Sequence, residues 1–434
     1  MTDPRRAVRV AWIDPAELFL RGPAREEHAF WLDAGPDARE GWSHVGVGAP
    51  ADPPLDVVVG GSGDEPSDAV PGRFGGGWVG WFGYDTAASR QGAPAVADPA
   101  APDTAGLAVA WLVSFDHARR EAWLTASQAG ALDAAEQVDC WRLSSPLMPD
   151  PIPERVPRAR HDSAAYAELI EGARAAIRAG DAYQLCLTTR FDVASDDPID
   201  PIATYLALRA TLPAHHGGII RVGPHTLLSS SPERFLEVTE GIVRTRPIKG
   251  TRPRDPEPGA DARAAAELEA SVKERAENVM IVDLMRNDLQ RVCAAGSVAA
   301  ERLLDVESYS AVHQLVSTVA GRLLPGTTLG DLLDAASPAG SMTGAPKLSA
   351  MTILHALEAA PRGVYAGCFG WVGTDGSLDL AMTIRSIVVH PGGAYVGAGG
   401  GITWLSDAVA EVAEVALKAR GPLAALGAAV PAEW

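Results

Sequence analysis

Between residues 7 and 145 the chain is a succession of short apolar runs cut by glycine and proline: AVRVAWI, HAFWLDAG, GGGWVGWFGYD, GLAVAWLVSF and REAWLTAS. Runs of that length, bounded by turn residues, read as strands. The stretch 86–105, TAASRQGAPAVADPAAPDTA, is rich in Ala, Pro and Asp and predicts an exposed, mobile loop. A proline-rich segment follows at 146–160, PLMPDPIPERVPRAR, and reads as a linker. Beyond it strands and helices mix. The spacing of Tyr166, Leu169, Ile170, Ala173 and Ile177 predicts a helix over 163–179. YQLCLTTRFDV reads as a strand, PIATYLALRATL as a helix and TLLSSSPERFLEVT as a strand pair. DARAAAELEASVKERAENVMIVDLMRNDLQRV is a long helical stretch. VYAGCFGWVG, LDLAMTIRSIVVH and GAYVGAGGGIT predict three consecutive strands leading into a helix over 406–420. This order predicts an α+β fold with mostly antiparallel sheets rather than a doubly wound parallel sheet.

The 434 residues carry 37 basic and 55 acidic side chains, a net charge of −18. That argues against a nucleic-acid binder or a protein that coats anionic membranes, both of which need a broad positive field. No apolar run approaches the ~18 residues that span a bilayer, and MTDPRRAVRVAWIDP lacks the apolar core of a secretory signal. Cys140, Cys186, Cys293 and Cys368 are far apart with no CxxC, so neither a disulfide framework nor structural zinc is expected, and the cytoplasm is the expected location. Only four lysines, Lys249, Lys273, Lys347 and Lys418, stand against 33 arginines. Codon usage accounts for an arginine excess. A lysine that persists against it can still do what arginine cannot, which is to lose its proton near neutral pH.

Glu274 and Glu277 lie three apart, as do Glu411 and Glu414, so on helices each pair shares a face. Two such faces meeting would offer hard oxygen ligands to Mg²⁺. The plain alternative is a pair of solvated helices, with Glu414–Lys418 an i,i+4 ion pair worth about 0.3–0.5 kcal/mol. Val279, Ile281, Val282, Leu284 and Met285 make the first helix apolar nearly all round, and a glutamate at the edge of a buried helix needs a partner. Gly399, Gly400 and Gly401 precede the last helix and could form either an anion nest or a tight turn. PAGSMTGAPKLSAM is a second glycine loop entering a helix, with Pro346 suited to its first position, but it is not a Walker A loop. Lys249 reads as part of a Pro/Gly-bounded loop in TRPIKGTRPR, beside Thr251.

DAYQLCLTTRF, SSSPERFLEV, RPIKGTRPR, ERAENVMIVDLMRNDLQRV, SYSAVHQLVSTVAGRL, SMTGAPKLSAM, GVYAGCFGWVG, AMTIRSIVV and AGGGITWLSD…EVAEVALKAR, in this order, resemble the chorismate-utilising enzymes. That family includes anthranilate, aminodeoxychorismate, isochorismate and salicylate synthases. The resemblance is strong over about 160–420 and weaker over 1–145, where FWLDAG and FGGGWVGWFGYD look like the family's N-terminal domain. It implies antiparallel sheets packed as a sandwich with flanking helices. It also implies an N-terminal domain at 1–145, a linker at 146–160, a chorismate-binding catalytic domain at 161–422 and a tail at 423–434.

The resemblance further implies roles. In isochorismate-forming members a lysine in the strand matching DAYQLCLTTRF activates water, and Gln184 occupies that place here. In anthranilate synthases the PIKGT lysine is typically alanine. Here it is Lys249, as in the aminodeoxychorismate synthases, where it is thought to be a covalent nucleophile. Glu277 and Glu414 are implied as Mg²⁺ ligands with Glu274 and Glu411 close by, Glu233 as general acid to the departing C4 hydroxyl, and His313 as a group orienting that region. Arg385 and Tyr365 are implied to hold the enolpyruvyl carboxylate, Gly399, Gly400, Gly401 and Lys418 to face the ring carboxylate, and Thr251 and Ser341 to make polar contacts. None of the cysteine contexts, VDCWR, QLCLT, RVCAA and AGCFG, is the G-x-C-x-G elbow of a glutaminase. Ammonia is therefore expected from a separate glutaminase subunit in a heterodimer, or as free ammonium. Two alternatives stay open: anthranilate synthase component I, separated by Lys249, and a non-catalytic chorismate-binding paralogue.

Overall fold

The computed structural model describes residues 5–60, 74–309 and 312–434. In chain order the strands are β1 (Arg5–Val10), β2 (His28–Asp33), β3 (Trp42–Pro50), β4 (Gly77–Phe82), β5 (Thr104–Asp116), β6 (Glu121–Ser127), β7 (Arg158–Ala159), β8 (Gln184–Ala194), β9 (His216–Val222), β10 (His225–Ser231), β11 (Arg234–Thr239), β12 (Ile242–Thr245), β13 (Ile248–Pro253), β14 (Ala299–Ser308), β15 (Val312–Arg322), β16 (Gly344–Ala345), β17 (Cys368–Gly373), β18 (Leu378–Met382), β19 (Ser386–His390) and β20 (Gly393–Ile402). The helices are α1 (Pro15–Arg21), α2 (Tyr84–Arg90), α3 (Ala131–Leu143), α4 (Ser163–Ala179), α5 (Pro201–Thr211), α6 (Pro258–Ala270), α7 (Val272–Gln290), α8 (Leu329–Ala336), α9 (Lys347–Glu358) and α10 (Ala408–Ala425).

Every ladder between these strands is antiparallel, and together they form two layers. One layer runs β1-β6-β5-β3-β2-β9-β10-β19-β20-β8. The other runs β5-β4-β17-β18-β11-β12-β15 and ends in β13 and β14. β5 belongs to both: one edge pairs along its length with β3, while the other pairs with β4 at the start and with β6 at the end. This is the expected antiparallel sandwich. Strands from residues before 145 pair with strands from beyond 160, β2 with β9 and β4 with β17.

Two cores follow from this layering. Phe30, Trp81, Phe369, Leu380 and Tyr395 fill the space between the layers, which α7 and α8 close with Ile281, Met285 and Leu332. Trp31, Tyr166, Phe191, Tyr205 and Val415 lie where α1, α4, α5 and α10 cover the outer face of the longer layer. At ~25 cal/mol per Å² of apolar surface, each fully buried aromatic contributes several kcal/mol before conformational entropy is counted.

Five local expectations change. Residues 86–105 are not loop throughout: α2 fills their start, Asp98 is buried on Arg190 at 2.7 Å, and Pro102 accepts a hydrogen bond from Trp81. An Ala/Pro/Asp composition gives no hint of a buried ion pair. The long helical stretch breaks at Ser271, whose hydroxyl caps α7 by accepting from the Glu274 N–H. Nor is α7 buried on every side, as its apolar middle suggested, because Val279 is exposed. The three last strands are four, because the chain bends at Thr383–Arg385 between β18 and β19, with Arg385 at φ 52°. Pro346 is the residue before the first turn of α9 rather than its first member.

Candidate active site

Glu233 follows the end of β10, and its side chain is 8% exposed. A short turn, Gly340–Met342, between α8 and α9 brings the Ser341 hydroxyl to Glu233 Oε1, which accepts at 3.3 Å. Burial pushes the Glu233 carboxyl up to about 7, against the pull of Lys249, the Ser341 hydrogen bond and Lys418. Near neutral pH a carboxyl so placed is protonated in about half of the molecules, where an ordinary glutamate would be fully ionised.

Lys249 lies on strand β13, not in the expected loop, because Ile248 and Thr251 are laddered to Val316 and Gln314 of β15 across a bulge. Its Nζ comes within 3.8 Å of where a Cβ on Gly401 would stand. Gly399, Gly400 and Gly401 form neither a nest nor a tight turn. They continue β20 along β8, with Gly399 opposite Thr188 and Gly401 opposite Cys186. Extended backbone turns successive N–H groups to opposite edges, so the run supplies space instead. A Cβ on Gly400 would meet Glu411 Oε2 at 3.1 Å, and one on Gly401 would meet Gln184 Nε2 at 2.7 Å. Lys418 crosses from α10, donating to Gly399 O at 2.8 Å and pairing with Glu414 at 2.7 Å.

The two glutamate pairs share one electrostatic neighbourhood. Burial raises Glu277, opposed by Lys249 and Lys273 and reinforced by Glu274 and Glu411. Burial also raises Glu411, whose Oε1 accepts from Ser406 at 2.8 Å and which Glu414 pushes further up. Burial pushes Glu414 up too, but Lys418, Lys273 and Lys249 outweigh it and leave the group below its usual value. Lys273, 3.9 Å from Glu277, acts on both pairs.

Tyr365 is buried against β20, where a Cβ on Gly397 would stand 2.1 Å from its Cγ. Arg385 sits close enough to act on Tyr365 and to feel Glu414. Its guanidinium makes no hydrogen bond or ion pair with any described residue. A largely enclosed guanidinium held on a positive-φ backbone is set up for an anion from outside the chain.

His313 and Thr251 do not make hydrogen bonds to this cluster. His313 Nε2 pairs with Asp261 Oδ1 at 2.9 Å and Nδ1 with Ser308 Oγ at 2.8 Å, so both ring nitrogens are engaged. Thr251 is exposed. A separate cavity of about 750 Å³ between the layers, lined by Asp33, His216, Arg234, Phe369 and Trp371, touches none of the expected site residues.

Three further residues belong to the cluster. Gln184 at the start of β8 is 1% exposed, and neither atom of its amide has a hydrogen-bond partner. Lys273 is one of four lysines and stands four residues before Glu277, a spacing that could have marked it. Ser406, whose hydroxyl also accepts from the Thr403 N–H at 3.1 Å, stands just before Asp407, the cap of α10, and nothing in the sequence tied it to the glutamates.

This arrangement of a carboxyl that titrates near neutrality, a lysine, paired glutamates and an unpaired arginine meets a family match. The model for chorismate binding enzymes covers residues 59–424. The chain belongs to the chorismate-binding enzyme family. An aminodeoxychorismate synthase of Streptomyces pristinaespiralis is 39% identical over 94% of this chain, which spans 62% of that longer relative. Component 1 of aminodeoxychorismate synthase from Klebsiella aerogenes is 38% identical, covering 79% of this chain and 75% of that one. Component 1 of anthranilate synthase from Streptomyces coelicolor is 40% identical, covering 82% and 74%. Among solved structures, anthranilate synthase component I of Streptococcus pneumoniae superposes with a TM-score of 0.75 at 29% identity, covering 96% of this chain and 92% of that one. Among the described residues no helix is long and apolar enough to cross a membrane.

Proposed function

We propose that this chorismate-binding enzyme is component I of an aminodeoxychorismate synthase. It replaces the C4 hydroxyl of chorismate with ammonia to give 4-amino-4-deoxychorismate, the precursor of p-aminobenzoate and folate. The observation that carries the reading is Lys249, whose amine lies beside Gly401 and acts on Glu233, Glu277 and Glu414 together. Two relatives named component 1 support a separate partner, here a glutaminase that supplies the ammonia in a heterodimer.

The carboxylates fit a divalent cation. Glu277 and Glu411 are both raised by burial and by neighbouring carboxylates, and the exposed ammonium of Lys273 stands in as a balancing charge. Among the described residues no three His, Cys, Asp or Glu side chains form a ready-made cage. That suits Mg²⁺, which takes one or two carboxylates and completes its shell with water and substrate oxygens. Glu277 and Glu414 would hold it, with Glu274 and Glu411 beside them, and when bound it supplies an electron sink at the ring carboxylate.

The chain's own residues do the rest. Arg385 and Tyr365 orient the enolpyruvyl carboxylate. Lys249, as the free amine, adds at C2 while the C4–O bond breaks and Glu233 gives that oxygen its proton, so water leaves. The new C2–N bond loses a proton to the emptied Glu233 carboxylate. Ammonia then adds at C4 as an ammonium, the ring electrons shift back, and the C2–N bond breaks as the lysine nitrogen takes the proton that the new C4 ammonium gives up. The sum is chorismate plus ammonia to aminochorismate plus water.

The second reading, anthranilate synthase component I, draws on the 40% identical relative. The test is the product formed by the purified chain with chorismate, Mg²⁺ and ammonium. The proposal expects a non-fluorescent aminochorismate that a separate lyase converts to p-aminobenzoate, and its loss in Lys249→Ala. Fluorescent anthranilate with pyruvate would overturn it, as would tight chorismate binding without turnover.

A further inference from the structure

Arg362 is 3% exposed, and its guanidinium has no role in the chemistry above. Nε donates to Glu358 Oε2 at 2.8 Å and Nη2 to Glu358 Oε1 at 2.7 Å. The remaining bonds reach two backbone carbonyls, Met342 O at 2.7 Å from Nη1 and Cys186 O at 2.8 Å from Nη2. The plane lies over the Tyr84 ring at 4.2 Å. Glu358 is itself satisfied by the Thr188 N–H at 2.8 Å and hydroxyl at 3.0 Å. A buried ion pair is a poor way to gain stability, because desolvation cancels most of the attraction. What this one yields is a rigid fork that reaches the turn itself at Met342, just ahead of the residues that ladder to β8.

Those elements both belong to the site. Met342 adjoins Ser341, whose hydroxyl is on Glu233, and Cys186 stands two residues after Gln184 and opposite Gly401. The residues after the turn are tied to β8 as well, through the Cys186 N–H to Thr343 O at 2.7 Å and the ladder of Gly344 and Ala345 with Leu185 and Gln184, so without the fork the segment stays folded but gains freedom at Met342. We propose that Arg362 is a positioning residue, fixing the Gly340–Met342 turn against β8 and thereby holding the Ser341 hydroxyl on Glu233. The inference rests on Glu233 being the proton donor of the proposed reaction.

Glu233 is faced by Lys249 and the Ile248 N–H from β13, Ser341 from the turn and Lys418 from α10. Of these only Ser341 depends on Arg362. The test compares Arg362→Lys, Ser341→Ala and the double variant in chorismate amination across pH. Arg362→Lys should lower kcat by roughly tenfold, with KM for chorismate within about twofold of wild type. It should also move the alkaline limb of the profile upward, as Ser341→Ala does, because a carboxylate that loses a donor holds its proton more tightly. The double variant should behave like either single one. Multiplied losses, or an alkaline limb that stays in place in a folded Arg362→Lys enzyme, would overturn the proposal. If Arg362→Lys does not fold, Glu358→Gln loosens the same fork and carries the same comparison. If the wild type does not turn chorismate over, the reading of the reaction fails by itself. The Glu233 resonance of ¹³C-carboxyl-labelled protein, assigned by its loss in Glu233→Gln, then decides: a titration displaced equally by both single variants upholds the positioning role, and an unmoved one refutes it.

Discussion

Replacing Glu233 by Gln should cost activity and, at alkaline pH, raise stability. The carboxyl is 8% exposed and its folded-state pKa is about 7, against an ordinary value of 4.5. Between those two values the native chain keeps a proton that the unfolded chain has lost, so stability falls as pH rises through the window. The difference of roughly 2.5 units corresponds to about 3 kcal/mol, fully present below about pH 4.5 and lost once the native group ionises near 7. Glu233→Gln keeps the shape and cannot ionise, so it escapes that loss. Urea unfolding of both proteins at pH 5, 6, 7 and 8 should show small differences at pH 5 and a variant more stable by up to about 3 kcal/mol at pH 8. The same substitution should lower kcat by about 10²–10⁴-fold, and wild-type kcat should fall on the alkaline side of a midpoint near 7. A stability gap that does not change with pH would refute the argument, since it would mean that Glu233 ionises alike in both states.

Other outcomes follow from single contacts. Arg385→Lys keeps the charge but loses the fork, so KM for chorismate should rise by about tenfold with kcat less affected, read by steady-state kinetics. Gly397→Ala puts a methyl 2.1 Å from Tyr365 Cγ, and displacing that buried ring should cost about 1–3 kcal/mol in urea unfolding and weaken chorismate binding. Lys347→Met strands Asp288, its partner at 2.7 Å, in a buried site. The variant should lose about 3–5 kcal/mol at pH 8 and less below pH 6, where the Asp288 carboxyl, raised by burial to about 6 even beside its lysine, takes up a proton.

The strand and helix content was legible because it depends on local periodicity. Ser163–Ala179 is a helix with the predicted ends, and β8, α5, β10 and β11 lie where their apolar runs placed them. The paired glutamates were legible for the same reason, as i,i+3 spacing fixes a shared face whatever packs on it. What long-range pairing decides was not legible. Lys249 looked like a loop lysine because what makes β13 a strand, across a bulge at Lys249 and Gly250, is its pairing with β15, far along the chain. The glycine run suggested an anion nest or a tight turn, but its ladder with β8 holds it extended. Asp98 sat in what looked like an exposed, mobile loop, and only the fold brings Arg190 to it from 92 residues away. Arg362 had no sequence mark, since each side-chain acceptor but Glu358 is a backbone carbonyl delivered by tertiary structure.

The shared strand β5 bears on how the chain can be made. β4 lies between β5 and β17, so one of its edges finds no neighbour until Cys368–Gly373 has been synthesised, nearly three hundred residues later. β2 likewise waits for His216–Val222. During translation the first portion therefore leaves the ribosome with open, tryptophan-bearing edges, a natural target for chaperones. A gene cut after the proline-rich segment would strand those edges for good, so the two pieces should be recoverable only when co-expressed.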